Sequence, residues 1–144
     1  MNFWKLFCRM TERADTGSAK SRRILLVDDV LHVAEALQEM LAAFGHEAEI
    51  APGGEEALRR YEPGKYDLVI TDYSMPGMNG ADLARAIRAR SPRQLILLMV
   101  SPAQAGTARA AEAAPADYML PKPFSVREFQ DALAVVFSKD GETV

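Results

Sequence analysis

The stretch ILLVDDVLHVAEALQEMLAAFG, residues 24–45, sets the architecture of the whole chain. Its apolar run 24–27 is typical of a strand that is buried on both faces of a parallel sheet. Apolar side chains then recur at helical spacing from Val30 to Phe44, and Gly45 follows as a helix stop. A buried strand that leads directly into an amphipathic helix predicts a βα unit.

The same alternation continues along the chain. Further strands are predicted at 47–51, 67–71, 94–100 and 117–120, and further helices at 53–61, 80–91, 103–114 and from 126 onward. Ser125 and Glu128 form a capping-box pattern at the start of the last helix. Five strands alternating with five helices predict an α/β fold, with a five-stranded parallel sheet and helices on both faces.

Length and composition restrict the class of protein. The chain has 144 residues, of which 49% are hydrophobic and 26% charged, as in an ordinary soluble domain. The net charge is −3, with residues 1–23 basic and the remainder acidic, so we expect no nucleic-acid partner. The single Cys8 excludes an internal disulfide and a multi-cysteine zinc site, and it is compatible with a cytoplasmic location.

The sequence divides into three regions. We expect a flexible basic extension at 1–22, a globular domain at 23–138 and a C-terminal tail at 139–144. Neither a signal peptide nor a membrane-spanning run of ~20 apolar residues is present. Aromatic and basic residues alternate in the extension, so contact of this segment with a membrane or a partner is the alternative to a frayed tail.

Polar residues follow four of the five predicted strands, the second strand being the exception. Asp28 and Asp29 follow the first strand, Asp72 the third, Ser101 the fourth and Lys122 the fifth. In an open parallel sheet, binding sites form beyond the carboxyl ends of the strands. These side chains are therefore expected to meet at one edge.

The chemistry of this group indicates a phosphoryl site. Three neighbouring carboxylates repel one another unless a cation joins them, and oxygen ligands favour Mg²⁺ or Mn²⁺. We expect Asp29 to bind the metal directly and Asp28 partly through water. Lys122 can pair with Asp72, and together with Ser101 it supplies donors for a phosphoryl group that a carboxylate would accept.

The motifs VDDV, TDYSMPGMNG, VS and KPF occur in order within residues 23–138. With them the chain resembles the response-regulator receiver domain of two-component signalling, which implies a flavodoxin-like sheet of strand order 2-1-3-4-5. The resemblance implies that Asp72 accepts the phosphoryl group from a histidine kinase or phosphotransfer protein. It further implies that Asp28, Asp29, Asp72 and the backbone carbonyl of Ser74 bind Mg²⁺.

Further expectations also come from the resemblance. Ser101 and Lys122 would contact the phosphoryl group and transmit its presence, and the Lys122–Pro123 peptide bond would be cis. Catalysis would be limited to Mg²⁺-dependent self-phosphorylation and autodephosphorylation, so the chain is not expected to be an enzyme. Because only SKDGETV follows Phe137, we expect a stand-alone switch that binds a downstream partner protein.

The sequence departs from the family pattern at three positions. Pro102 follows Ser101, where a small residue is usual, and Pro115 stands where glycine is common. The aromatic switch position, three residues before the lysine, is Met119, with Tyr118 displaced by one. These departures put the usual mode of readout in doubt, while the phosphorylation chemistry is unaffected.

Readout is therefore expected to involve the alanine-rich helix. Residues 101–117 contain no Leu, Ile, Val, Phe or Met, so a helix at 103–114 buries little large apolar surface. We expect this helix to be loosely anchored and to form the partner surface together with the fifth strand and the last helix.

Two other functions compete with the signalling switch. One is a receiver-like scaffold that does not use phosphate. The other is an aspartyl-phosphate hydrolase of the haloacid dehalogenase type, which requires a second acid two positions after its nucleophile. Counting from Asp28 or Asp29, that position holds Val30 or Leu31, and no cap insertion is present.

Overall fold

A computed structural model of the chain describes residues 20–101 and 113–141. The elements in these ranges are β1 (Arg23–Val27), α1 (Leu31–Ala43), β2 (Glu47–Ala51), α2 (Gly54–Arg60), β3 (Leu68–Asp72), α3 (Gly80–Arg90), β4 (Leu95–Val100), β5 (Tyr118–Pro121) and α4 (Val126–Gly141).

The strands form one parallel sheet in the order β2-β1-β3-β4-β5, which confirms the predicted fold and strand order. Every residue of β3 and β4 is buried, because helices cover both faces of these central strands. The mixed sequence EAEIA places β2 at an edge, where Glu47 remains exposed.

The two faces of the sheet carry separate helix layers. Leu26 packs in a cluster with α1 and α4, whereas Leu25 packs in a cluster with α2 and α3. Neighbouring residues of a strand point to opposite faces, so each central strand contributes to both clusters. The helices therefore lie on both faces, as the alternating pattern predicts.

The last helix begins as its sequence predicts. The Ser125 backbone N–H donates to Glu128 Oε1 and the Glu128 N–H donates to Ser125 Oγ, both at 3.0 Å, which confirms the capping box. The helix continues to Gly141, past residue 138. Near its end, Lys139 donates to the carbonyl of Asp117 at 2.6 Å and so ties α4 to the start of β5.

Several expectations lie outside the described residues. They concern Cys8 and residues 1–19 of the basic extension, Pro102 with most of the helix expected at 103–114, and the tail from residue 142. Within the described ranges, no helix has the length and apolar content needed to cross a membrane.

Candidate functional site

Three carboxylates meet at the carboxyl edge of the sheet. Asp28 and Asp29 directly follow β1, and Asp72 ends β3. Because β1 and β3 pair with Val27 opposite Thr71, the acids that follow these positions lie side by side. One oxygen from each carboxylate lies within 4.8 Å of the others, so this acidic group could bind a metal ion.

Asp28 is the most deeply placed of the three acids. It is only 2% exposed, and its Oδ1 accepts the backbone N–H of Val30 at 3.0 Å. Burial raises the pKa of Asp28, and the negative charges of Asp72 and Asp29 add to this rise, while the Val30 N–H and Lys122 oppose it.

The second oxygen of Asp28 supports the predicted metal site. Asp28 Oδ2 is buried and accepts no hydrogen bond from the part of the chain that the structure describes. An unpartnered buried carboxylate oxygen is costly, and here it lies beside two further carboxylates. A hard divalent cation would bind the unpartnered oxygen and would also reduce the repulsion among the three carboxylates. The residues present therefore fit such an ion.

Lys122 brings a positive charge to the same edge. Its Nζ lies 2.7 Å from Asp72 Oδ1, and the two side chains are 30% and 11% exposed. The Lys122 backbone N–H donates to the carbonyl of Val100 at 2.7 Å, which continues the β4–β5 pairing. The Lys122–Pro123 bond is cis, as expected. The predicted pair of Lys122 with Asp72 is thus present in the structure.

The two serines lie in the loops at this edge. Ser101 directly follows β4 and lines a surface groove together with Lys122. Ser74 is exposed in the loop between β3 and α3. Their roles toward a phosphoryl group and a metal ion stay predictions.

The residues considered for the switch lie on different faces of β5. Tyr118 packs against the core cluster of α1 and α4, whereas Met119, opposite Leu98 in β4, is 36% exposed. Because adjacent strand residues point to opposite faces, a tyrosine displaced by one position does not replace an aromatic residue at 119. The role of either side chain in a switch stays a prediction.

Gly80 is a site residue that the sequence reasoning missed. Its N–H donates to the carbonyl of Tyr73 at 2.8 Å, so the first residue of α3 packs against the loop that follows Asp72. A Cβ at position 80 would meet the Asp72 carbonyl oxygen and would lie 2.8 Å from Leu98 Cδ1. The sequence signal for this residue is the last glycine of TDYSMPGMNG, which by itself predicts only the start of a helix.

We expect Asp28→Asn to stabilise the metal-free protein by about 1 kcal/mol at neutral pH, because it removes a buried charge beside two like charges. The asparagine Oδ1 can still accept the Val30 N–H. The raised pKa of Asp28 means that the folded protein retains a proton to higher pH than the unfolded chain. The stabilisation of Asp28→Asn relative to the wild type should therefore increase as the pH rises from acid toward neutral.

Urea unfolding in EDTA and in Mg²⁺ measures both effects. Mg²⁺ should stabilise the wild type clearly and Asp28→Asn only weakly, since a ligand stabilises the state that binds it. A variant that is less stable than the wild type in EDTA would contradict this account of Asp28.

The comparisons with known proteins agree with this geometry. The family model described as response regulator receiver domain matches residues 24–134. Regulatory protein VanRB from Enterococcus faecalis is 31% identical over 121 residues, which are 84% of this chain and 54% of VanRB. The chain spans about half the length of curated relatives such as VanRB. It spans a smaller share, 24%, of the response regulator protein FleR from Pseudomonas aeruginosa.

Solved structures show the same similarity. Chemotaxis protein CheY4 from Vibrio cholerae is 28% identical with a TM-score of 0.73, and the match covers 81% of this chain and 99% of CheY4. Response regulator protein TrrA from Thermotoga maritima, solved in complex with Mg²⁺–BeF, is 34% identical with a TM-score of 0.68. That match covers 80% of this chain and 98% of TrrA.

Proposed function

The chain belongs to the response-regulator receiver family of two-component signalling, and from this premise we propose that it is a phosphorylation-dependent switch whose phosphoacceptor is Asp72. The observation that carries the proposal is the position of Asp72, which contacts the Lys122 ammonium at 2.7 Å and lies beside Asp28 and Asp29. A carboxylate placed between a cation and a group able to bind a metal is suited to attack a phosphoryl group.

The proposed metal is Mg²⁺, held by Asp28, Asp29, Asp72 and the carbonyl of Ser74. When bound, it neutralises charge on the phosphoryl oxygens. The complex of TrrA with Mg²⁺–BeF supports this choice, because that protein is 34% identical to this chain. The unpartnered oxygen of Asp28 supports it independently.

In the proposed reaction, a carboxylate oxygen of Asp72 forms a bond to phosphorus while the bond from phosphorus to the donor breaks. The donor is a phosphohistidine of a histidine kinase or phosphotransfer protein, and its imidazole leaves with the electron pair. Lys122 then pairs with a phosphoryl oxygen, and the Ser101 hydroxyl donates to another. Attack by water later returns the carboxylate and inorganic phosphate.

We propose that the downstream partner binds the side of the domain that carries β5 and α4, together with the helix that the sequence predicts at 103–114. Two of the large apolar side chains that are exposed in the described ranges, Met119 at 36% and Val135 at 45%, belong to β5 and α4. Methionine is enriched in protein interfaces, so the exposed Met119 supports the β5 part of this surface.

Phosphorylation by a small donor tests the proposed function. Acetyl phosphate with Mg²⁺ should add one phosphoryl group to the intact protein, as measured by mass spectrometry, and EDTA should prevent the addition. If the mass of the protein did not increase in the presence of Mg²⁺, this result would favour the remaining alternative, a scaffold that does not use phosphate. Membership in the receiver family excludes the other alternative, a hydrolase of the haloacid dehalogenase type.

Replacement of Lys122 by methionine should change two affinities in opposite directions. Loss of the ammonium beside Asp72 leaves the acidic site more negative, so Mg²⁺ should bind about three- to tenfold more tightly. The phosphate mimic beryllofluoride should bind more weakly at saturating Mg²⁺, because it loses a charged donor.

Calorimetric titrations of Mg²⁺ and then of beryllofluoride separate the two effects. Lys20→Met, which removes an exposed lysine before β1, is the matched control and should leave both affinities unchanged. If both affinities moved in the same direction in Lys122→Met, the proposed role of this lysine would be wrong.

A further inference from the structure

An apolar groove of about 590 Å³ opens beside the phosphoacceptor edge. One wall is formed by Val33, Ala36 and Leu37 of α1, and the other by Pro123 and Phe124 after β5. Lys122, which contacts Asp72, lies at its rim. A group seated in this groove would therefore lie directly against the proposed phosphoryl site.

The chain before β1 is fixed on the same side of the sheet. The Arg22 N–H donates to His46 Nδ1 at 3.1 Å, just past the end of α1. The Arg22 guanidinium lies 4.6 Å from the ring centre of Phe137 and pairs with Asp140 at 2.9 Å, both near the end of α4. Because α1 and α4 form one layer, these contacts place Arg22, just before β1, on the face of the sheet that carries the groove.

The length of the N-terminal chain is sufficient to reach the groove. From Ala36 to Ala43, at the end of α1, the helix axis extends about 10 Å. Residues 8–19 can span up to ~40 Å when extended. A chain of this length that starts at Arg22 is therefore long enough for residues 3–7 to reach the groove.

The composition and charge of the segment match this surface. Residues 3–7 read FWKLF, with large apolar side chains at every position except Lys5, and Arg9 follows. Along α1, Glu35 and Glu39 are exposed and lie three residues from His32 and Ala36, so they flank the groove. A segment that carries apolar side chains together with Lys5 and Arg9 complements an apolar groove beside these two acids.

We propose that residues 3–9 of the same chain dock in this groove and obstruct the approach of a phosphodonor to Asp72. The N-terminal segment is then an autoinhibitory element that must leave before phosphoryl transfer. Only this consequence rests on the proposed function, because the docking itself follows from the groove, the position of Arg22 and the sequence of the segment.

The fluorescence of Trp4 tests the docking without any phosphorylation. Trp4 is the single tryptophan of the chain, so its emission reports on this segment alone. In the full-length wild type we expect emission at shorter wavelength than in urea, and severalfold protection from acrylamide quenching. Ala36→Arg places bulk and positive charge in the groove, and it should abolish the protection and shift the emission toward that of the unfolded chain.

Ala89→Arg, on the exposed surface of α3 and hence on the other face of the sheet, is the matched control and should retain the wild-type emission. Circular dichroism confirms that both variants are folded. The proposal is overturned if Trp4 is fully quenchable in the wild type, or if Ala36→Arg and Ala89→Arg behave alike. Protection that disappears on dilution would also overturn it, since the occupant would then be the segment of a second copy.

Discussion

Asp72→Asn should abolish phosphoryl uptake completely, so that acetyl phosphate and Mg²⁺ leave its intact mass unchanged. The reason is chemical, because an amide oxygen is a poor nucleophile and no other acid in the described ranges contacts Lys122 within an ion-pair distance. The change preserves the size of the side chain. It also removes one of three neighbouring carboxylates, so the variant should fold at least as stably as the wild type.

The matched control is Asp131→Asn, which changes an exposed aspartate on α4 in the same way. This control should gain one phosphoryl group at the wild-type rate. An equal gain in mass by the wild type and by folded Asp72→Asn would show that another residue is the acceptor, and the assignment of Asp72 would then fail.

The sequence predicts much of this site because the features that place its residues are local. An apolar run that ends in an acid identifies both a buried central strand and the polar residue at its carboxyl end. In a parallel sheet those ends share one edge. The sequence therefore predicts that Asp28, Asp29, Asp72 and Lys122 meet at this edge, and the structure brings them together.

The features that the sequence did not predict depend on contacts between distant segments. The face on which Tyr118 lies depends on the register of β5 against β4. A shift of this register by one residue would move the Tyr118 side chain to the opposite face of the sheet. The unpartnered oxygen of Asp28 depends on what surrounds it in three dimensions. The groove beside Lys122 forms between α1 and the residues after β5, which are far apart along the chain.

Gly80→Ala is expected to have the largest effect on stability, a loss of about 2–3 kcal/mol in the free energy of unfolding. The added Cβ would meet the Asp72 carbonyl oxygen, and it would lie 2.8 Å from Leu98 Cδ1 and 2.9 Å from Tyr73 Cα. Two of these three neighbours are backbone atoms of β3 and its following loop, which cannot rotate away as a flexible side chain can. Relief of the clash therefore requires a displacement either of the start of α3 or of the backbone that carries Asp72.

A comparison with Gly53→Ala isolates this effect. Gly53 also stands at the start of a helix, but a Cβ there would meet no atom within 4 Å, so only a small loss is expected from its position as an N-cap. Urea unfolding gives the stabilities, and Mg²⁺ titration of the folded variants gives the effect on the site. Because the clash involves the backbone of Asp72, Gly80→Ala should also weaken Mg²⁺ binding, whereas Gly53→Ala should not. If the two alanine variants were equally stable and bound Mg²⁺ equally well, the close packing of α3 against β3 would not constrain the position of Asp72.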